Sequence, residues 1–220
     1  MNMQKPDSHA LMSQPLIIRM IWIALLVAAG DALFETRWSL AFVSLATLLL
    51  SLVPVIFARW ADIVVPPVFM VAVVMFVGAT LFLGEVYDFY NRFWWWDVML
   101  HGGSAIGFGL IGFVLVFMMF QGDRFAAPSG AIAFFAFCFA LAIGAGWEIF
   151  EYGMDQIFGT NMQKNGLDDT MKDLMVDFVG ALLGAASGYA YLMGRDRRWL
   201  AALIADFVAR NPRLFSRWKK

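Results

Sequence analysis

The chain predicts an all-α, polytopic membrane bundle with six transmembrane helices and a C-terminal amphipathic helix lying in the membrane interface. Three observations carry this. Of the 220 residues, 61% are hydrophobic and 15% charged, with a mean hydropathy of +0.71; soluble domains run roughly 45–50% apolar and about 25% charged. The apolar runs are continuous rather than alternating, which excludes a transmembrane β-barrel. Six of them approach or exceed the ~20 residues a helix needs to cross hydrocarbon.

Taken in order, residues 1–14 are polar and read as a mobile cytoplasmic N-terminus. The run after them is long enough to stay in place as a span, so no cleaved signal is needed. The transmembrane domain, residues 15–194, holds spans at Pro15–Ala32, Trp38–Ala58, Ile63–Gly84, Asp97–Phe120, Gly130–Phe150 and Asp173–Met193. Pro66 and Pro67 fall in the first turn of the third span, where a missing N–H costs little, and Pro54 is expected to kink the end of the second. Asp31 and Glu35 cap or flank the first span. Arg59, Asp62, Asp123 and Arg124 belong to short inner loops.

Residues 195–220 are a basic tail. Arg195, Arg197, Arg198, Arg210, Arg213, Arg217, Lys219 and Lys220 follow the last span, and positive flanks stay in the cytoplasm. Six spans then put both termini on that side. This arrangement places 12 of the 16 Lys+Arg and 5 of the 17 Asp+Glu inside, against 4 and 12 outside. The tail decides the matter, since the basic count without it ties at four a side. Trp199, Leu200, Leu203, Ile204, Phe207 and Val208 recur at helical spacing among these charges and read as a surface-lying helix.

The informative residues lie between about 84 and 188, where acids stand at the ends of three spans. Trp94, Trp95 and Trp96 mark the interface at which the fourth span begins. Asp97 and His101 are one helical turn apart and share a face with Ser104 and Gly112. On the fifth span Gly144, Glu148, Glu151 and Asp155 form one narrow stripe. On the sixth, Asp169, Asp173 and Asp177 run at intervals of four and continue as Gly180, Gly184 and Gly188, a small-residue face that admits a neighbouring helix closely. The alternating topology puts all three acidic ends on the outer side. Acids beside hydrocarbon are costly and mark function by default. Each has a plainer reading as well. Asp168 or Asp169 is expected to cap the sixth span, Glu85 and Asp88 either pair with Arg92 near the surface or belong to the polar cluster, and His101 is either a packed, hydrogen-bonded residue or a ligand. The polar loop Gln156–Leu167 either covers the cluster or is an ordinary solvated loop.

Gathered carboxylates repel unless cations or protons intervene, and the local bases are few: Arg92, Lys164 and Lys172, with Arg37 further off. A bound divalent cation resolves the conflict. Carboxylates with one imidazole suit magnesium, manganese or zinc.

The pattern Trp95-Trp96-Asp97…His101-Gly102, Trp147-Glu148-Ile149-Phe150-Glu151-Tyr152…Asp155 and Asp168-Asp169-Thr170…Asp173-Leu174…Asp177…Gly180-Ala181 resembles the YjdF-type family of bacterial inner-membrane proteins. The resemblance covers about Gly84 to Gly188, and weakly the spans before it. It implies a small multi-span protein of the bacterial inner membrane and brings no assigned activity. A fainter similarity runs to VanZ-like proteins, from whose Glu-x-x-Gln pairing followed by arginine this chain departs with Glu148-x-x-Glu151.

The leading expectation is a metal-dependent hydrolase or transferase acting on a lipid or lipid-linked substrate at the outer leaflet. Asp97, His101, Glu148, Glu151, Asp173 and Asp177 would be its catalytic groups, with His101, Glu148, Glu151 and Asp177 as metal ligands. Two other classes compete: an ion- or proton-coupled transporter, and a structural or assembly subunit with a membrane-protein partner or a second copy of itself. A carrier needs polar groups near the midplane and often internal repeats, and the inner halves of the fourth and fifth spans are apolar. Other classes fall away. There is no P-loop or Rossmann glycine pattern. The two histidines, His9 and His101, do not suit paired haem ligation, and a lone Cys138 excludes an intramolecular disulfide or a cysteine metal site. The membrane-proximal basic tail does not argue for nucleic acid.

Overall fold

The computed structural model describes residues 11–120, 127–195 and 200–215. Residues 1–10 of the N-terminus, Asp123 and Arg124, and Arg197, Arg198, Trp199, Arg217, Lys219 and Lys220 of the tail lie outside these. The described residues are helical with no strand. After a 3₁₀ turn at Leu11–Ser13 come α1 (Leu16–Phe34), α2 (Trp38–Trp60), α3 (Pro67–Val77, running on as a π-helix over Gly78–Val86), α4 (Phe89–Arg92), α5 (Trp96–Met119), α6 (Ser129–Phe158), α7 (Leu167–Leu192), α8 (Ala201–Arg210) and α9 (Pro212–Phe215). Six of these are long and apolar enough to cross a membrane: α1, α2, α3 with its π-helical extension, α5, α6 and α7. The chain divides into two compact units, one ending at Trp94 and the other beginning at Trp95.

In the first unit Ile18 and Trp22 of α1, Val55 and Ala58 of α2, and Met70 and Val74 of α3 form the core. Trp22 donates its indole N–H to the Ser51 hydroxyl at 2.9 Å. Ser44, Thr47 and Ser51 lie on a fully buried stripe of α2, and each hydroxyl is satisfied by a carbonyl of the preceding turn. Pro66 caps α3 and Pro67 opens it, where neither needs an N–H. Pro54 lies inside α2, which continues to Trp60. Asp31 in the last turn of α1 and its C-cap Glu35 share Arg37, which lies 3.0 Å from Glu35. Asp88 caps α4 in a left-handed conformation and accepts from the Asn91 amide at 2.6 Å rather than pairing with Arg92.

The second unit is built on α5, α6 and α7. The glycine face of α7 seats α5. A Cβ at Gly180 would stand 2.7 Å from the Gly102 carbonyl oxygen, and one at Gly184 2.7 Å from that of Ile106. Backbone therefore meets backbone along this seam, in the small-residue mode of membrane helices. At the far end Phe113 stacks on Phe117, Tyr191 meets both rings edge-on, and Phe215 of α9 joins Phe117 at 5.6 Å between ring centroids. The helix expected in the tail is present as α8, with Ala201 and Ile204 buried.

The two largest boundary differences from the sequence reading both fall at polar ends. α6 runs on to Phe158 and α7 begins at Leu167 rather than Asp173, because polar helical turns project beyond the apolar runs that mark a span. The N-cap of α7 is Gly166, in a positive-φ conformation that glycine adopts without strain. Asp168 and Asp169 instead occupy the first turn, where a negative charge meets the positive end of the helix dipole.

Candidate metal centre

The start of α5, the end of α6 and the start of α7 lie together at one end of the second unit, and His101 is where they converge. His101 Nδ1 stands 3.3 Å from Asp177 Oδ1 and 3.4 Å from Oδ2. On the other edge of the ring, Nε2 is 3.9 Å from Glu148 Oε1 and 4.0 Å from Asp97 Oδ1. The contact with Asp177 Oδ2 is the hydrogen bond, and Oδ1 beside it has no hydrogen-bond partner; the Glu148 and Asp97 contacts are too long to be one. Asp177 thus draws the proton to Nδ1 and turns the Nε2 lone pair toward two carboxylates. A carboxylate partner on the far nitrogen is how histidine ligands are commonly oriented toward a metal.

Burial sharpens the arrangement. His101 is 8% exposed, Glu148 3%, Asp173 4% and Asp177 1%. Neither carboxylate oxygen of Glu148 has a hydrogen-bond partner, although Thr170 lies alongside. Asp177 fits because residue 144 is glycine: a Cβ there would overlap its carboxylate. Gly144 belongs to the same stripe as Glu148 and Glu151, so the helix that supplies the acids also supplies the space.

One ligand atom each from His101, Glu148 and Asp173 fall within 4.8 Å of one another, and so do one each from Asp97, Asp169 and Asp173. Glu151 stands apart from both groups, half-buried, accepting from the Trp147 indole at 2.9 Å. Asp177 meets the imidazole and not the ligand groups. Glu151 and Asp177 therefore lie outside both groups.

The α6–α7 loop closes over this end. Asp155 organises it, accepting from the Thr160 hydroxyl at 2.6 Å and the backbone N–H groups of Met162 at 2.7 Å and Gln163 at 2.9 Å. The Gln163 amide reaches the Thr170 hydroxyl. Lys164 is carried to Asp97 at 3.1 Å. Of the four bases named from sequence, only Lys164 pairs with the cluster among the described residues; Lys172 lies 3.8 Å from exposed Asp168, and Arg37 pairs beside α1. From sequence, Asp169 stands on the acidic face of the sixth span and as a candidate cap, without being a catalytic group or ligand, and Thr170 has no part. The four-residue step from Asp169 to Asp173 was the signal for the first; nothing marked the second. Ser104, placed on the His101 face, spends its hydroxyl on the His101 carbonyl at 2.8 Å.

A sequence family described as "Predicted membrane protein (DUF2238)" matches residues 14–194. The chain belongs to this DUF2238 family. An uncharacterized protein of Thermotoga maritima is 30% identical over 117 residues, which cover 51% of this chain and 57% of that protein. This chain therefore spans a little over half the length of that relative. No solved structure matches. The YjdF-type resemblance is consistent with the DUF2238 match, and the comparisons lend nothing to the VanZ-like similarity.

Proposed function

We propose that this DUF2238 protein holds a divalent cation at His101, Glu148 and Asp173 and uses it as a hydrolase or transferase on a lipid or lipid-linked substrate at the outer leaflet. The observation that carries the reading is Glu148. A buried carboxylate with no hydrogen bond on either oxygen is costly unless a cation or a proton joins it, and here it faces the free edge of an imidazole already fixed from behind. Magnesium, manganese or zinc fits the donor set. Such an ion polarises an ester and lowers the pKa of a bound water. In the hydrolysis, the water gives up a proton to a carboxylate as its oxygen bonds to the carbonyl carbon or phosphorus, the bond to the leaving oxygen breaks, and that oxygen takes a proton. Glu151, half-buried and outside the ligand groups, would carry the proton transfers. His101 lies about five residues into α5, roughly 7 Å along the axis, a depth a headgroup reaches.

A carrier is less well supported, because the opposite end of the same bundle is filled by Phe113, Phe117 and Tyr191. The test is metal content. Full-length protein purified in detergent and loaded with Mn²⁺ retains metal after desalting, and Glu148→Gln or Asp173→Asn does not. Metal-free wild type, with thermal stability indifferent to Mn²⁺, defeats the proposal.

A further inference from the structure

Resting on that reading, we propose that the centre is binuclear: a second divalent cation binds between Asp97, Asp169 and Asp173, with the Asp173 carboxylate bridging the two ions. Both groups of ligand atoms close to within 4.8 Å, and Asp173 is the member they share. Asp173 is 4% exposed and makes no hydrogen bond among the described residues, so both its oxygens are uncommitted where the two groups meet. Helical spacing sets out the rest. On α5, Asp97 lies one turn outward of His101; on α7, Asp169 lies one turn outward of Asp173. The outer ion would take Asp97 and Asp169, the inner one His101 and Glu148.

The outer group already draws a cation. Lys164 reaches Asp97 at 3.1 Å from a loop that Asp155 pins in place. An ammonium and a metal ion compete for that carboxylate, so ion binding displaces Lys164 toward the mouth. Two ions bridged by one carboxylate form the clamp that stabilises both the attacking and the leaving oxygen of a displacement, which a single ion does not.

Mn²⁺ titration of the full chain in detergent, followed by metal analysis and electron paramagnetic resonance, decides the matter. Wild type is expected to hold two Mn²⁺ per chain with a spin-coupled spectrum. Asp169→Asn, at a half-exposed first-turn position, loses one and shows an uncoupled spectrum; Asp97→Asn serves as the second variant if the first folds poorly. Lys164→Ala fills the outer position at lower Mn²⁺ concentration. One uncoupled Mn²⁺ in both wild type and Asp169→Asn overturns the binuclear centre while leaving the single-ion reading intact. No Mn²⁺ in wild type overturns both.

Discussion

Gly144 shows how one atom decides the site. Its lack of a Cβ lets Asp177 approach His101 from behind. Gly144→Ala is expected to push that carboxylate aside at a cost of about 1–3 kcal/mol, the usual range for overpacking, and to weaken Mn²⁺ binding although residue 144 touches no metal. Gly146→Ala is the control, since a Cβ there meets nothing within 4 Å; it should leave both melting temperature and Mn²⁺ affinity unchanged. A Gly144→Ala protein that binds Mn²⁺ like wild type would show that Asp177 does not orient the imidazole. The sequence made Gly144 visible as the first member of an acidic stripe but not as a contact, because helical spacing tells which face a residue shares and not what lies opposite.

At the level of single elements, the α6–α7 loop and the α5–α7 seam make contrasting predictions. Asp155 ties down Thr160, Met162 and Gln163. Asp155→Ala should release the loop locally and speed hydrogen exchange at the Met162 and Gln163 amides, while α5 and α7 keep their protection. Equal exchange in both proteins would show that the loop is held by other means. Gly184→Ala, by contrast, sets a Cβ 2.7 Å from the Ile106 carbonyl oxygen and 2.9 Å from the Gly109 Cα. Backbone cannot rotate away as a side chain does, so this change should lower the melting temperature of the whole bundle. The seam was legible in sequence as Gly180, Gly184 and Gly188 at four-residue intervals. The loop was not: Asp155 reads as the last member of the α6 stripe, and its partners lie five to eight residues downstream in a segment with no periodicity.

For the whole molecule, the chain of six membrane-length helices followed directly from hydropathy, whereas the ends of α6 and α7 did not, because polar helical turns carry no apolar signal. Orientation rests on the basic tail. In a cysteine-free background made by Cys138→Ala, a cysteine placed at Lys164 is expected to react with a membrane-impermeant thiol reagent added to intact cells, and one placed at Arg213 only after permeabilisation. The reverse pattern would put the centre on the cytoplasmic leaflet. Ion binding to the native state should also raise stability, by about 2.7 kcal/mol at 100-fold excess over the dissociation constant, read as a rise in melting temperature that chelation reverses. The tight α5–α7 seam has a bearing on how anything gets in. Two helices interlocked main chain to main chain make a stiff jaw that cannot widen by repacking side chains. On the proposed reading, admission of a bulky amphiphile would come from the third wall, by a swing of α6 or a lifting of the strap tied to its end, and that is where ligand-induced motion should be sought.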